Sequence, residues 1–499
     1  MEIKFQNDGL NCLREVIYQV KNEEQTQEVK LPDTMPDIGK VLGSWGQVLL
    51  RGKEWRGSGM SVSGGVMVWV LYLPEGESEP RTVETWIPFQ IRWEFPQTDR
   101  DGAILAEAML KSIDARSVSA RKLMVRAVVS VAGCAMEPTA VEVFAPEHIP
   151  EDVYLLRRTY PMQIPRESGE KAFNLDEEVS LPSHCQNARR LLRFGMTPEI
   201  TDVKIMADKV VFRGTAHVRA LCKSDGDTLK SCDLEIPFSQ YGDLEREYDP
   251  NATVQIIPAL TNLDMELQEN GMLRIKAGIV GQYVICEQRQ VEVVQDAYSP
   301  NRPVKLHTAQ LQLPSILEHK QENIQAEQVL EGTTGELVDV FCMAEHSRLD
   351  SRSEWVDMEL SGAFQALYYD DEGNLASGSV RWTQERRMDM PQEAKLTATC
   401  QMTGMPQGES GMDGIRMWET LTLDTTATTD TGVEMVTGLE LGEKVAPAAD
   451  RPSLILRRVG DESLWDMAKH YGSTEDAIRK ANGLTDDPVP GQILIIPVA

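Results

Sequence analysis

The stretch Glu28-Val29-Lys30-Leu31-Pro32 returns 150 positions later as Glu178-Val179-Ser180-Leu181-Pro182, and a second shift of that size reaches Gln328-Val329-Leu330. Further landmarks keep an offset of 149 or 150: Gly65 with Gly214, Ile87-Pro88-Phe89 with Ile236-Pro237-Phe238, and Val141-Glu142-Val143 with Val291-Glu292-Val293. We predict a unit of about 150 residues that occurs three times. The third copy is shorter and more divergent, with Gly362 in place of Gly214.

Strand signals dominate each copy. Residues 66–72, 123–131 and 273–280 are rich in β-branched residues. Acidic and glycine-containing turns such as residues 369–374 separate such runs. The best helical period lies at residues 104–115, which predicts one helix there.

The repeat period is longer than the roughly 20–50 residues of solenoid repeats, so each copy should enclose its own core. We therefore predict a mainly β protein with three tandem antiparallel repeats of sandwich or barrel type, followed by a small βααβ domain. The predicted divisions are repeat 1 (1–165), repeat 2 (166–315), repeat 3 (316–441), a proline-punctuated linker (442–452) and the terminal domain (453–499).

Charge and cysteine usage restrict the partners and the compartment. The formal charge of -28 disfavours nucleic acid and anionic membrane surfaces. The first eight residues are polar, and no run approaches the roughly 20 apolar residues of a membrane span. The eight cysteines are scattered without a Cys-x-x-Cys pair, as expected of reduced thiols. We therefore expect a cytoplasmic protein without a signal peptide.

The terminal domain carries clear helix boundaries. Ser463 and Asp466 have the spacing of a capping box, and apolar residues follow at helical spacing until Gly472. Ser473 and Asp476 predict a second box, and Gly483 ends the second helix. A strand before and a strand after complete the order β-α-α-β.

These motifs resemble a LysM domain: residues 463–468, then Tyr471-Gly472, then Asn482-Gly483-Leu484, then residues 490–497. The resemblance implies a shallow groove for N-acetylglucosamine polymers between two loops. Carried over, the groove residues are Asp461, Glu462, Ser463, Asn482, Gly483, Leu484, Thr485 and Asp486. The predicted core residues are Leu464, Trp465, Ala468, Tyr471, Ile478, Ile493 and Ile495. Asp461 stands where the common family form has glycine, and this second carboxylate would repel an acidic ligand.

The repeats also resemble a known family. Residues 31–38, the two Ile-Pro-Phe landmarks and the terminal LysM together resemble the SipL (SPOCS-domain) family of clostridial spore morphogenetic proteins. The resemblance covers nearly the whole chain. It implies a mother-cell protein on the surface of the developing spore, whose LysM holds the coat-basement ATPase rather than wall glycan.

No motif predicts a catalytic residue, a metal site or a cofactor. The seven histidines lack metal-binding spacing, and His184-Cys185 is one contiguous pair without partners. Residues 57–65 are glycine-rich but lack the Gly-Lys-Ser/Thr of a phosphate loop. Carboxylates are abundant, so the sequence does not exclude a pair of catalytic carboxylates like that of glycosidases.

The leading hypothesis is a non-enzymatic adaptor in which the β repeats form a scaffold and the LysM docks a protein partner. The alternative is a protein that binds peptidoglycan or another N-acetylglucosamine polymer. A second alternative is a cell-envelope hydrolase with its active site in a β repeat.

Overall fold

The structure is a computed structural model that describes residues 2–98, 100–224, 228–351, 355–389, 394–445 and 452–498. Strands make up most of it, and the two α-helices of the described residues both lie near the C-terminus. This confirms the prediction of a mainly β protein with a C-terminal helix pair. None of the described sheets is closed.

Residues 10–141, here called segment 1, form two antiparallel sheets. The strands are β2 (Leu10–Lys30), β3 (Ile38–Arg56), β4 (Gly59–Pro74), β5 (Arg81–Glu94), β6 (Ala103–Ser119) and β7 (Lys122–Val141). One sheet has the order β3-β4-β5 and the other β2-β7-β6. Side chains of β4, such as Val66, and of β7, such as Val125, share one buried cluster. In β5, Ile87, Phe89 and Ile91 are buried on alternate positions, as the two-residue period of a strand requires.

Residues 154–298, segment 2, have the same order of strand pairing. The strands are β9 (Tyr154–Ser180), β10 (Ala188–Met206), β11 (Lys209–Ser224), β12 (Leu229–Asp243), β13 (Thr253–Leu267) and β14 (Met272–Tyr298). The sheets are β10-β11-β12 and β13-β14-β9. A short 3-10 helix, Ser183–Cys185, lies between β9 and β10, directly after the repeated Leu-Pro pair. Leu31 and Leu181 of the repeated pairs are both buried.

Residues 304–441, segment 3, repeat this pairing with one extra short strand. The strands are β15 (Val304–Glu331), β16 (Gly335–Ala344), β17 (Arg348–Ser351), β18 (Trp355–Asp370), β19 (Leu375–Asp389), β20 (Lys395–Ser410) and β21 (Gly414–Leu441). Strand β18 pairs with β16, β17 and β19, and β21 pairs with β15 and β20. Strands β9 and β15 run through the predicted divisions at 165/166 and 315/316.

A glycine at one position of each central strand is required by a ring on the next strand. A Cβ would lie 2.7 Å from the Phe89 ring at Gly64, 2.4 Å from Phe238 at Gly214 and 2.6 Å from Trp382 at Gly362. Each glycine also lies directly opposite its aromatic residue in the strand register. The landmark is therefore Gly64, one residue before the predicted Gly65.

The three segments contact one another in a cycle. Strand β3 packs on β13, β10 packs on β20, and β16 packs on β6, so that each segment touches the next and the third touches the first. Leucines and aromatics of all three segments share one buried cluster that includes Trp45, Leu221 and Leu367. The three segments therefore pack against one another and are not independent domains joined only by the chain.

Buried polar contacts also join the segments. Arg193 of β10 donates from Nε to Asp339 of β16 at 2.8 Å, and both side chains are almost fully buried. Gln282 of β14 accepts from the backbone N–H of Ala106 at 2.9 Å and donates to its carbonyl at 2.8 Å. Such contacts are satisfied only in one relative placement of the segments.

The beginning of the chain joins the end of segment 3. Strand β1 (Glu2–Asn7) pairs with β21 through its first half and with β8 (Phe144–Pro146) through its second. Ile3 and Phe5 are buried beside Leu439 of β21. We call residues 2–445 the β body.

The predicted helix at residues 104–115 is wrong. These residues lie in β6, which pairs with β7 along its length. Alanine, leucine and methionine favour helices intrinsically, but pairing with a neighbouring strand and burial override that preference. The turn predicted at residues 369–374 lies after β18, where residues 371–374 leave the strand. A second turn, predicted at residues 223–227, lies mostly outside the described residues. The glycine-rich residues 57–65 begin with the turn between β3 and β4.

Candidate binding site of the terminal module

Residues 453–498, the terminal module, fold in the predicted order β-α-α-β. The elements are β22 (Leu454–Arg458), α1 (Leu464–Tyr471), α2 (Glu475–Asn482) and β23 (Ile493–Pro497). The two strands pair antiparallel, with Leu456 opposite Ile495. The two helices connect them on one side of this small sheet.

Side-chain caps begin both helices. Ser463 accepts from the backbone N–H of Asp466 at 3.1 Å, and Asp466 accepts from the backbone N–H of Ser463 at 3.1 Å. Thr474 caps α2 by accepting from Ala477 at 3.0 Å, so the predicted cap at Ser473 is wrong by one residue. Gly472 and Gly483 both have positive φ and end the helices.

The module has an apolar core between its sheet and its helices. Leu464, Trp465, Ala468 and Ile478 are buried there, and Tyr471 is partly buried. From β23 the buried residues are Leu494 and Ile496. The prediction that Ile493 and Ile495 belong to the core is wrong. Both are exposed, because successive side chains of a strand point to opposite faces.

The predicted groove loops use much of their polar chemistry internally. Asn482 binds both backbone groups of Ile495, donating at 2.7 Å and accepting at 2.8 Å, so it ties α2 to β23. Ser463 is occupied by the cap, and Glu462 pairs with Arg457 at 3.0 Å. Gly483 is the helix end, and Leu484 packs against the core.

The remaining groove positions are exposed and acidic. Asp461 and Asp486 are exposed, and Thr485 donates to the Asp486 carboxylate at 3.2 Å. Asp487 adds a further carboxylate on the same loop, paired with Arg479. The rim of the predicted groove thus offers acceptors and negative charge, which suit hydroxyl donors and disfavour an acidic ligand.

Helix α1 also contacts the β body. Trp465 donates from Nε1 to Asp296 at 2.8 Å, and Lys469 pairs with the same carboxylate at 2.8 Å. The Trp465 ring meets the Tyr298 ring edge-on, with centroids 4.8 Å apart. The Tyr298 hydroxyl donates to the Ser473 carbonyl at 3.0 Å.

This contact determines what Trp465 does. Its ring is buried between the module core and the end of β14, so it faces no open groove. Asp296 and Tyr298 were not predicted as site residues. They lie 169 and 167 residues before Trp465, and no local pattern in the sequence marks them.

The opposite face of the module is apolar and exposed. Leu454 and Leu456 of β22 are 60% and 74% exposed, and Ile493 and Ile495 of β23 are 62% and 38% exposed. Strand pairing places Leu456 beside Ile495, and the exposed Arg458 follows on the same face. We call Leu454, Leu456, Ile493 and Ile495 the aliphatic face.

Within the described residues, no group of three His, Cys, Asp or Glu side chains could hold a metal ion. His184 lies against the Ser231 carbonyl at 3.2 Å, and its neighbour Cys185 is buried. None of the helices in the described ranges is long and apolar enough to cross a membrane.

Two family models match the chain. The model of the LysM domain matches residues 459–497, and the model of the SipL SPOCS domain matches residues 187–268, which run from β10 through β13. The chain therefore carries both domains that the sequence predicted. Both are binding modules, and together they fit a sporulation-related protein with a peptidoglycan-binding module. Neither a search of the curated proteins nor one of the solved structures found a match.

Proposed function

We propose that this protein is a non-enzymatic adaptor on the surface of the developing spore, and that its LysM docks a protein partner through the aliphatic face. The observation that carries the proposal is the exposure of Leu454, Leu456, Ile493 and Ile495 on a single sheet face. Exposed contiguous aliphatic side chains are typical of interaction surfaces. By family resemblance, the partner is the coat-basement ATPase.

The contacts of the module support this choice of face. Helix α1 is already engaged by Asp296 and Tyr298, which leaves the sheet side open. Because Arg458 borders the aliphatic face, the matching surface on the partner would be apolar with acidic residues at its edge. The acidic groove rim and the internal use of Ser463 and Asn482 make the groove the weaker candidate.

The β body would act as the scaffold. We propose that the three segments are copies of one sandwich-like unit, because their strands pair in the same order and a glycine lies under an aromatic ring at the same place in each. Packed in a cycle, they present a large rigid surface that holds the LysM at a fixed position. The mother-cell side of the forespore is the proposed location.

Co-purification from the sporulating native host tests the proposal. We expect deletion of residues 453–499 and the substitution Leu456→Gln to remove the captured partner, whereas Lys480→Gln on the exposed side of α2 should retain it. Leu456→Gln leaves the module folded, because the side chain contributes little to the core at 74% exposure. Undiminished capture by Leu456→Gln would refute the proposed face.

The second candidate is glycan binding, which the LysM family match favours. A pull-down of the full-length protein on insoluble peptidoglycan distinguishes the two. Strong binding that Thr485→Asp, at an exposed groove position, abolishes and Leu456→Gln leaves unchanged would assign the function to the groove.

A further inference from the structure

A cavity lies where the three segments meet. It has a volume of about 350 Å³ and is lined by strands of all three segments: β2, β6 and β7, then β9, β13 and β14, then β15, β20 and β21. These are equivalent strands in the three pairing patterns. The volume falls within the roughly 300–1,000 Å³ of small-molecule sites.

Two carboxylates in this cavity each have an oxygen without a hydrogen-bond donor. Glu107 of β6 is 9% exposed, and its Oε2 has no hydrogen-bond partner. The same holds for Oδ1 of Asp424 on β21. Burial raises the pKa of Asp424, and the nearby Glu107 carboxylate raises it further, while His319 lowers it. The carboxylates of Glu107 and Asp424 are therefore close enough to interact electrostatically.

His346 and His319 lie next to these carboxylates but form no hydrogen bond with the two unpaired oxygens. The Ser130 hydroxyl accepts from the His346 backbone N–H at 3.2 Å and lies 3.0 Å from the ring's Nδ1, so the ring nitrogen that faces Glu107 is Nε2. That nitrogen lies 3.5 Å from Glu107 Oε2, beyond a normal hydrogen bond. His319 Nδ1 is 3.4 Å from Asp424 Oδ1 and also lies 3.2 Å from the Thr426 hydroxyl.

The two basic side chains that line the cavity are already paired with carboxylates. Arg14 pairs with Glu137, and Lys395 pairs with Glu15. Tyr18, also in the lining, donates its hydroxyl to the Ala398 carbonyl at 2.8 Å, so its oxygen remains an acceptor. The lining thus presents acceptors from Tyr18, Glu107 and Asp424, together with threonine hydroxyls such as those of Thr397 and Thr399.

Aliphatic side chains form another part of the wall. Leu105, Ile257 and Val284 come from segments 1 and 2, and Ile316 comes from segment 3. A ligand that suits both parts needs N–H donors with positive charge and a short aliphatic chain. An ammonium group has three donors and no acceptor. A metal ion is disfavoured, because the described residues offer no group of three ligating side chains.

We propose that this cavity binds a short aliphatic amine, with its ammonium group between Glu107 and Asp424 and its methylenes against Leu105 and Ile257. The bound amine contacts all three segments at once. It therefore stabilises their packing, since a ligand that binds only the folded state raises its stability.

The test uses the full-length protein and putrescine at pH 8. We expect saturable binding by calorimetry and a concentration-dependent rise in Tm. Binding should weaken at least tenfold in Glu107→Gln and in Asp424→Asn, and remain unchanged in Glu434→Gln, an exposed carboxylate on β21 away from the cavity. The uncharged diol of equal length, 1,4-butanediol, should not bind.

A measurement on the unmodified protein keeps the test independent of any folding defect in the variants. Nuclear Overhauser contacts should appear between the putrescine methylenes and the methyl groups of Leu105, Ile257 and Val284. The proposal is overturned if putrescine does not saturate, if butanediol or matched sodium chloride acts equally, or if Glu107→Gln and Glu434→Gln bind alike.

Discussion

The contacts that join the three segments differ in kind from the contact that holds the LysM module. Between segments, polar groups such as Arg193, Asp339 and Gln282 are buried, and Arg193 lies against the rings of a shared apolar cluster. The LysM is attached through one patch around Asp296 and Tyr298. The β body is therefore expected to unfold as a single unit, whereas the LysM is expected to detach before it.

The difference follows from where each region has its core. Residues of different segments pack in the same clusters, so that separating the segments exposes apolar surface and buried charge together. Most of the LysM core lies between β22, β23 and the two helices, and Tyr298 of the body packs on it from outside. The LysM therefore loses little of its internal packing when it leaves the body.

The largest effect should follow from breaking the buried ion pair between segments. Asp339→Ala leaves Arg193 buried without its charge partner, and also removes the acceptor of the Ser231 hydroxyl. We expect a loss of about 3–5 kcal/mol in the free energy of unfolding of the body, measured by chemical denaturation. Lys122→Ala, which breaks the exposed pair with Glu28, should cost less than about 1 kcal/mol. Similar losses for the two variants would contradict the contrast.

A pH series should distinguish the two regions through Glu419 of β21. Burial raises the pKa of Glu419 to about 8, against the smaller lowering effects of the Thr420 backbone and Arg219. The protonated form is thus favoured in the folded body, and stability present below the ordinary glutamate pKa is lost as pH rises toward 8. The slope is at most about 1.4 kcal/mol per pH unit.

Denaturation at several pH values between 5 and 8 checks this sign. The body should become less stable with rising pH, and Glu419→Gln should flatten the dependence. In the LysM, hydrogen bonds from Ser463 lower the pKa of Asp466, so that its stabilisation is lost only in acid, while burial raises the pKa of Glu475 in the same direction as that of Glu419. Glu419→Gln should leave the pH dependence of the LysM unchanged. Parallel curves for the wild type and Glu419→Gln would show that Glu419 is not the responsible group.

A smaller effect is expected where the module meets the body. Asp296→Ala removes the acceptor of the Trp465 indole and the charge partner of Lys469. We expect the docked state to weaken by about 1–2 kcal/mol, which corresponds to roughly tenfold faster hydrogen exchange of the Trp465 indole N–H. Asp476→Ala, an exposed carboxylate on α2, is the matched control. An unchanged exchange rate would mean that Asp296 does not hold the module.

The smallest effect should lie within the module itself. Ser463→Ala removes the N-cap of α1 and should cost about 1 kcal/mol of module stability. Hydrogen exchange of the α1 amides measures it, with Ser453→Ala as the matched control. The unfolding of the β body should be unaffected. If the body lost stability with the module, the two regions would not be separate units.

The sequence predicted the features that depend on local pattern. The capping box at Ser463, the glycine helix ends and the strand-rich body all follow from residue type and spacing. Ile493 and Ile495 were assigned to the wrong face because residues 493–496 are all apolar, so alternation gives no sign of which side is buried. The helix predicted at 104–115 failed because strand pairing outweighed intrinsic propensity.

Features that depend on distant parts of the chain could not be predicted from the sequence. Asp296 and Trp465 meet only after the body has folded, and the Arg193–Asp339 pair joins residues 146 apart. The cavity around Glu107 requires the cyclic packing of three segments. Repetition of sequence indicates repeated units, but it does not indicate how those units pack against each other.

Hydroxyl-radical footprinting of the full-length protein, free and in the complex purified from the native host, tests the central claim most directly. The aliphatic face is exposed in the free protein, so Leu454, Leu456, Ile493 and Ile495 should be oxidised there. We predict that the partner protects these four side chains and leaves the loops at 461–463 and 483–486 accessible. Protection confined to those loops, with continued oxidation of the aliphatic face, would contradict the proposed docking.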